Sequence, residues 1–160
     1  MIFVVVGTQL PFDRMIRAVD VWAGRDASGE EVFAQIGPSR FRPQNIRSTA
    51  FVAPQEFDEH LARCSLLIAH AGMGSIISAL CAGKPALIMP RLARYGEHRN
   101  DHQINTARSL AQRPGLTVAM DEHDLVEKLD RRRELRIAEQ RMPPHASPEF
   151  VNEIRRLIES

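Results

Sequence analysis

Apolar residues fall along this chain in two rhythms. Compact runs of apolar and β-branched residues occupy positions 2–6, 31–36, 46–52, 66–69, 86–89 and 116–119. Short runs of this kind, closed by glycine or proline, predict strands buried on both faces. Between them, apolar residues recur at helical spacing. Phe12, Met15, Ile16, Val19 and Trp22 make one stripe, and Phe57, Leu61 and Cys64 a second behind Pro54. A third segment starts near Ser75 and is stopped by Gly83 and Pro85. A fourth spans 101–111, with Ile104, Ala107 and Ala111 inward. Pro11 suits the first turn of the first helix. Asp121 is a cap for the helix that runs into Arg131-Arg132-Arg133, with Asp124 at the capping-box position.

Strands and helices alternate throughout, which predicts an α/β fold with a Rossmann-like, doubly wound parallel sheet. Residues 1–142 are expected to form that domain. Pro143-Pro144 then breaks the chain, and Ser147 caps a last helix within 143–160. That helix carries Phe150, Val151, Ile154, Leu157 and Ile158 on one face. It either folds back on its own domain or docks on another chain.

Composition narrows the function classes. The chain has 160 residues, 44% hydrophobic and 26% charged, which suits one globular domain. A net charge of +1 supplies no global field to attract nucleic acid. Cys64 and Cys81 fit a reduced, cytoplasmic setting. The opening MIFVVVGT lacks a basic start and a cleavage site, so it reads as a first strand. No run approaches the about 18 apolar residues of a membrane span. Any membrane attachment is therefore expected to be peripheral or through a partner.

In an open parallel sheet, ligands bind beyond the carboxyl ends of the strands. That rule gathers the loops at 7–11, 37–43, 53–55 and 70–75, with the polar block 95–103, on one rim. The His70 loop carries the most chemistry. Gly72 and Gly74 are expected at positive φ and close to a ligand. The helix behind them offers free N–H groups and a partial positive charge, which suit phosphate. The Ser75 hydroxyl and the His70 imidazole add donors. A tight packing turn explains the same glycines equally well, and the motif is no P-loop, dinucleotide fingerprint or nucleophile elbow. In the polar block, His98 and His102 would share a helical face, which makes a metal site thinkable. Two readings outrank it: a solvated loop, or Asp101 and Gln103 hydrogen-bonding sugar hydroxyls. Lys84 reads as a solvated turn residue. Arg131 to Arg133 read as a solvated helix face or as a contact with an anionic membrane.

Together these residues resemble a known family. HAGMGSIISALCAGKPALIMPR, followed by GEHRNDHQINTA, resembles the C-terminal half of the family 28 glycosyltransferases, of GT-B fold. FVAPQEFDEHLARCSLLIAHAG resembles the preceding segment in the wider UDP-glycosyltransferase group. VVVGTQLPFDRMIRAVD resembles the start of the small, split members. Those include bacterial exopolysaccharide subunits of PssE and EpsF type. They also include the catalytic subunit of the eukaryotic UDP-N-acetylglucosamine transferase acting on dolichol-linked sugar. The likeness covers residues 2 to about 130.

The resemblance implies one nucleotide-sugar-binding half of a GT-B enzyme. It implies that His70, Gly72, Met73, Gly74 and Ser75 hold the diphosphate, and that Asp101 and Gln103 contact the donor sugar. It places Val52 to Gln55 near the uracil, and Gly7 and Thr8 at the interdomain cleft. It implies no metal and no cofactor, the UDP-sugar being the donor substrate. Where related sequences often carry an acid for the ribose hydroxyls, this chain has Ser78; Glu97 is the candidate to compensate. The missing half implies a membrane-anchored, acceptor-binding partner subunit, through which this cytoplasmic chain reaches the membrane. The expected function is transfer of a sugar, with inversion, from a UDP-sugar to a lipid-linked acceptor in polysaccharide assembly. The chain alone is expected to bind donor but not turn over. The base comes from the partner or from His98. The alternative is a non-catalytic nucleotide-binding or scaffolding module, which Ser78 favours. A metal-dependent hydrolase built on His98 and His102 ranks last.

Overall fold

The computed structural model describes residues 1–135. The boundary at 142–143, the Pro143-Pro144 break and the Ser147-capped helix lie outside the described residues. The strands are β1 (Ile2–Val5), β2 (Val32–Gln35), β3 (Arg47–Thr49), β4 (Leu66–His70), β5 (Ala86–Met89) and β6 (Leu116–Val118). They form one sheet in the order β3-β2-β1-β4-β5-β6, with every pairing parallel. The helices are α1 (Asp13–Arg25), α2 (Pro54–Arg63), α3 (Met73–Ala82), α4 (His102–Leu110) and α5 (Glu122–Asp130). The expected α/β Rossmann-like doubly wound sheet is the observed one.

The two-residue period of β1 explains the layering. Ile2, Val4 and Val6 enter a core with Met15, Ile16, Val19 and Trp22 of α1 and Leu125 and Leu129 of α5. Phe3 and Val5 enter the opposite core, with Leu61 of α2, Ile76 and Leu80 of α3, and Ala107 of α4. The chain thus leaves β1 toward one face and leaves its neighbour β4 toward the other. The crevice between these two strand ends is the topological switch point of the sheet, the natural place for a ligand.

Several boundaries differ from the expected ones for identifiable reasons. Strand β3 is three residues long rather than seven. Its partner β2 turns away at Gly37, where φ is +59°, so nothing remains to pair beyond the bond from Gly37 N to the Ala50 carbonyl. Pro11 lies before α1, outside its first turn; Phe12 is the N-cap. Asp121 does cap α5, accepting from the Asp124 N–H at 2.9 Å, while the Asp124 carboxylate reaches back to the Met120 N–H. Lys84 is not simply solvated, because its ammonium donates to the Cys64 carbonyl at 2.8 Å.

The arginine triplet needs a larger correction. Arg131 and Arg133 are exposed. Arg132 instead turns inward in the short turn Arg132–Glu134, its side chain 10% exposed. It pairs with Asp26 at 2.8 Å and Glu30 at 3.2 Å, and its guanidinium lies 4.8 Å from the Trp22 ring. It is a structural pin between the end of α5 and the loop after α1. Arg132→Ala is expected to cost about 2 kcal/mol, because it strands two partly buried carboxylates. Arg131→Ala, which loses only an exposed pair within its helix, is expected to stay within about 0.5 kcal/mol. Urea midpoints of the two variants check both.

Candidate functional site

At the switch point two clefts meet. The first, about 470 Å³, is walled by the loop after β1 and by His70, Gly72, Gly74, Ser75, His98 and Gln103. The second, about 340 Å³, lies between α2 and α3 and is walled by Phe51, Val52, Phe57, Asp58 and Ser78. Gly7, Thr8 and Ser75 line both, so the clefts join at the start of α3. There Gly72 is an extended N-cap with no side-chain bond to the helix, and the first helical bond is from Ile76 N to the Gly72 carbonyl. The N–H groups of Met73, Gly74 and Ser75 therefore have no partner within the helix, and Gly74 and Ser75 stand at the cleft wall with the positive end of the helix dipole.

The glycines act differently from the expectation. Neither Gly72 nor Gly74 has positive φ; the positive φ is at Gly7, +78°. A Cβ on Gly72 would stand 2.0 Å from His70 Cε1, and a Cβ on Gly7 would stand 2.8 Å from His70 Nε2. The two glycines bracket the imidazole. A Cβ on Gly74 would meet nothing within 4 Å, so Gly74 leaves space open in the cleft.

His70 ends β4 and is held from below. Its Nδ1 lies 3.4 Å from Gln103 Nε2, while Gln103 Oε1 accepts from the Arg91 N–H at 3.2 Å. That second bond sets the amide with its NH₂ toward the imidazole, which assigns Nδ1 as acceptor and puts the ring proton on Nε2. Burial, then the nearby Arg91 charge, lowers the His70 pKa to about 4. The ring is thus neutral at pH 7 and serves as a hydrogen-bond donor, not as a cation.

Arg91 is the residue that sequence reasoning missed. It is 3% exposed and lines the first cleft, with its guanidinium committed to main chain. Its guanidinium donates to the carbonyls of Pro11 at 2.8 Å, Leu10 at 2.7 Å, Glu97 at 2.9 Å and Val6. Burial brings its pKa down to about 10, with Glu97 opposing, so it stays charged. The only sequence signal was a basic residue directly behind a fully apolar strand, after Pro90.

Glu97 does not do what the sequence suggested. Its carboxylate takes a two-pronged bond from Arg14, both arms at 2.9 Å, and the Leu92 N–H at 2.8 Å. It lines the first cleft but not the second, where Ser78 lies, so it is not placed to compensate for Ser78. Arg14 also bonds Glu122 at 2.7 Å, which ties α1, the loop after β5 and α5 together.

The other proposed site residues divide. Gln103 is 3% exposed and holds its neighbours as described, with an edge on the first cleft. Asp101 lies outside both walls and accepts from the Ala93 N–H at 2.8 Å. Met73 and Gln55 are exposed and line neither cleft, although Val52 lines the second. His98 and His102 meet edge to face with centroids 4.5 Å apart, but through a bend and not along one helix. Among the described residues no group of three or more His, Cys, Asp or Glu is arranged to share a metal ion. Among the same residues no helix is long and apolar enough to cross a membrane.

The profile of the glycosyltransferase family 28 C-terminal domain matches residues 1–158. A 71-residue stretch is 34% identical to a UDP-N-acetylglucosamine--N-acetylmuramyl-(pentapeptide) pyrophosphoryl-undecaprenol N-acetylglucosamine transferase from Rhodospirillum centenum, covering 43% of this chain and 18% of that one. The fold superposes on MurG of Acinetobacter baumannii with TM-score 0.64 and 17% identity, over 98% of this chain and 49% of that one. It also superposes on the solution structure of ALG13 with TM-score 0.61 and 15% identity, over 99% of this chain and 96% of that one. The chain thus spans at most half the length of the first two.

The His70 bracket is open to a direct check. Gly72→Ala is expected to cost about 2 kcal/mol, because the ring must move from a close-packed position. Gly74→Ala is expected to be neutral or to stabilise by up to about 1 kcal/mol, alanine being the better helix residue. Urea unfolding distinguishes them. For His70 the linkage sign follows from a folded pKa near 4 against the ordinary 6.5. The unfolded chain binds the extra proton between these values, so this contribution is complete above pH 6.5 and is lost as pH falls toward 4. The loss is on the order of 3 kcal/mol, and His70→Gln is expected to flatten it. NMR titration is expected to show a His70 ring that stays neutral down to about pH 5.

Proposed function

The chain belongs to the glycosyltransferase family 28 C-terminal domain family, and from that premise we propose that it is the donor-binding half of a glycosyltransferase. The donor is a UDP-sugar, with the diphosphate at the start of α3, the sugar in the first cleft and the nucleoside in the second. One observation carries this reading: two clefts of unequal character join at an uncapped helix N-terminus. An anion with a different group on each side is what such a junction accommodates.

The chemistry is direct displacement. An acceptor hydroxyl oxygen forms a bond to the anomeric carbon as the bond from that carbon to the phosphate oxygen breaks. The configuration inverts and UDP leaves with the electron pair. The free N–H groups of α3, the Ser75 hydroxyl and the neutral His70 Nε2–H meet the charge that grows on the leaving diphosphate. A neutral imidazole suits that task, since it gains strength as the anion develops. The acceptor proton goes to a base on a second, membrane-anchored subunit, or to His98 at the rim. A lipid-linked acceptor in polysaccharide assembly, on the cytoplasmic side of the membrane, is our reading. The printed name of the Rhodospirillum relative, an undecaprenol-linked acceptor, lends it support. Donor binding is proposed to need no metal. The alternative, a nucleotide-binding scaffold without turnover, remains favoured by Ser78.

Calorimetry with UDP and UDP-N-acetylglucosamine, with and without EDTA, tests the site. Binding is expected in both media. Ser75→Ala is expected to weaken it about 10-fold or more, the worth of one hydrogen bond to a charged group. Gly74→Ala is expected to weaken it more while leaving the fold intact. Unchanged affinity in both variants sinks the assignment. Turnover with the partner subunit, and none with the chain alone, separates the enzyme from the scaffold.

A further inference from the structure

We propose that Asp58, on α2, is the residue that holds the ribose diol and makes the second cleft selective for ribonucleotides. The inference rests on the nucleotide-sugar reading above and adds a residue to it. The second cleft is apolar on one side, where Phe51, Val52 and Phe57 suit a nucleobase. Its polar side is short of free groups. The Gln35 amide nitrogen is already committed to the Gly7 and Ala50 carbonyls, both at 3.0 Å. Ser78 offers one hydroxyl. Asp58 is the one carboxylate on the wall, and it forms no hydrogen bond or ion pair among the described residues.

Position supports the assignment. Ser75 and Ser78 lie one turn apart on α3, about 4.5 Å along its axis. A nucleotide whose diphosphate sits at Ser75 therefore carries its ribose past Ser78. Asp58 stands across from it on α2, one turn beyond Pro54. An ionised carboxylate accepts from both hydroxyls of a vicinal diol at once, as acidic residues do for the ribose of bound dinucleotides. A lone serine hydroxyl cannot. The acid absent at position 78 is thus supplied from the neighbouring helix, and Glu97, turned inward on Arg14, is not needed.

Calorimetry of the full chain with UDP and 2′-deoxy-UDP tests this. The wild type is expected to prefer UDP by about 10-fold or more. Asp58→Asn is expected to weaken UDP about 10-fold, weaken 2′-deoxy-UDP less, and cut the preference to about 3-fold. Asp58→Ala with Ser78→Glu is expected to regain the preference by returning a carboxylate from the other helix. Asp58 is exposed and unpaired among described residues, so the urea midpoint is expected to hold in Asp58→Asn. Firm UDP binding with an unchanged preference in Asp58→Asn overturns the role of Asp58 and leaves the nucleotide site standing. Binding of neither nucleotide by the wild type overturns the nucleotide-sugar reading itself.

Discussion

The structure around the switch point depends on one buried guanidinium. Arg91 gathers four main-chain carbonyls, three from the loop after β1 and one from the loop after β5. Burying those carbonyls unpaired would be costly. The planar fork of arginine satisfies several at fixed angles; a lysine ammonium in the same place could not match the geometry. The charge stays paired electrostatically through Glu97, which Arg14 in turn holds. The two loops that wall the first cleft are thereby locked to each other, and His70 and Gln103 rest on that lock.

The distribution of labour follows from the sheet. Alternate residues of β1 feed opposite cores, so α1 and α3 pack on different faces and their loops diverge. Divergence opens the crevice. Arg91 stiffens one side of it, and the start of α3 supplies donors on the other. The second cleft falls to α2 because β3 ends early, leaving residues 50–53 to run along the cleft as irregular chain. A longer third strand would have drawn Phe51 and Val52 into the sheet and away from the site.

Much of this was legible in the residues. The apolar runs and stripes located the six strands and α1 to α4, because burial on two faces and on one face leaves different periods, and the Asp121 cap located α5. The rim was legible too, since strand polarity alone decides which loops share an end. What failed were side chains whose partners are distant in sequence. Arg132 looked solvated because its carboxylate partners, Asp26 and Glu30, lie about a hundred residues away. Glu97 looked available because nothing local reveals its bond to Arg14. Gly72 looked like a backbone requirement, whereas a ring two residues earlier excludes its side chain. Asp58 carried no signal in the sequence, and only the packing of α2 beside α3 brings it to a cleft wall.

The bracket around His70 also constrains how this chain can change over generations. Gly7, His70 and Gly72 share one volume, so their substitutions cannot be independent. A side chain at position 72 costs about 2 kcal/mol while the imidazole is present, and loses its nearest obstacle once a small residue replaces the ring. The order of events therefore matters. A lineage that first gives up the imidazole places a side chain beside the α3 terminus at less cost than one that keeps it. The three positions form a historical ratchet as well as a wall of the site.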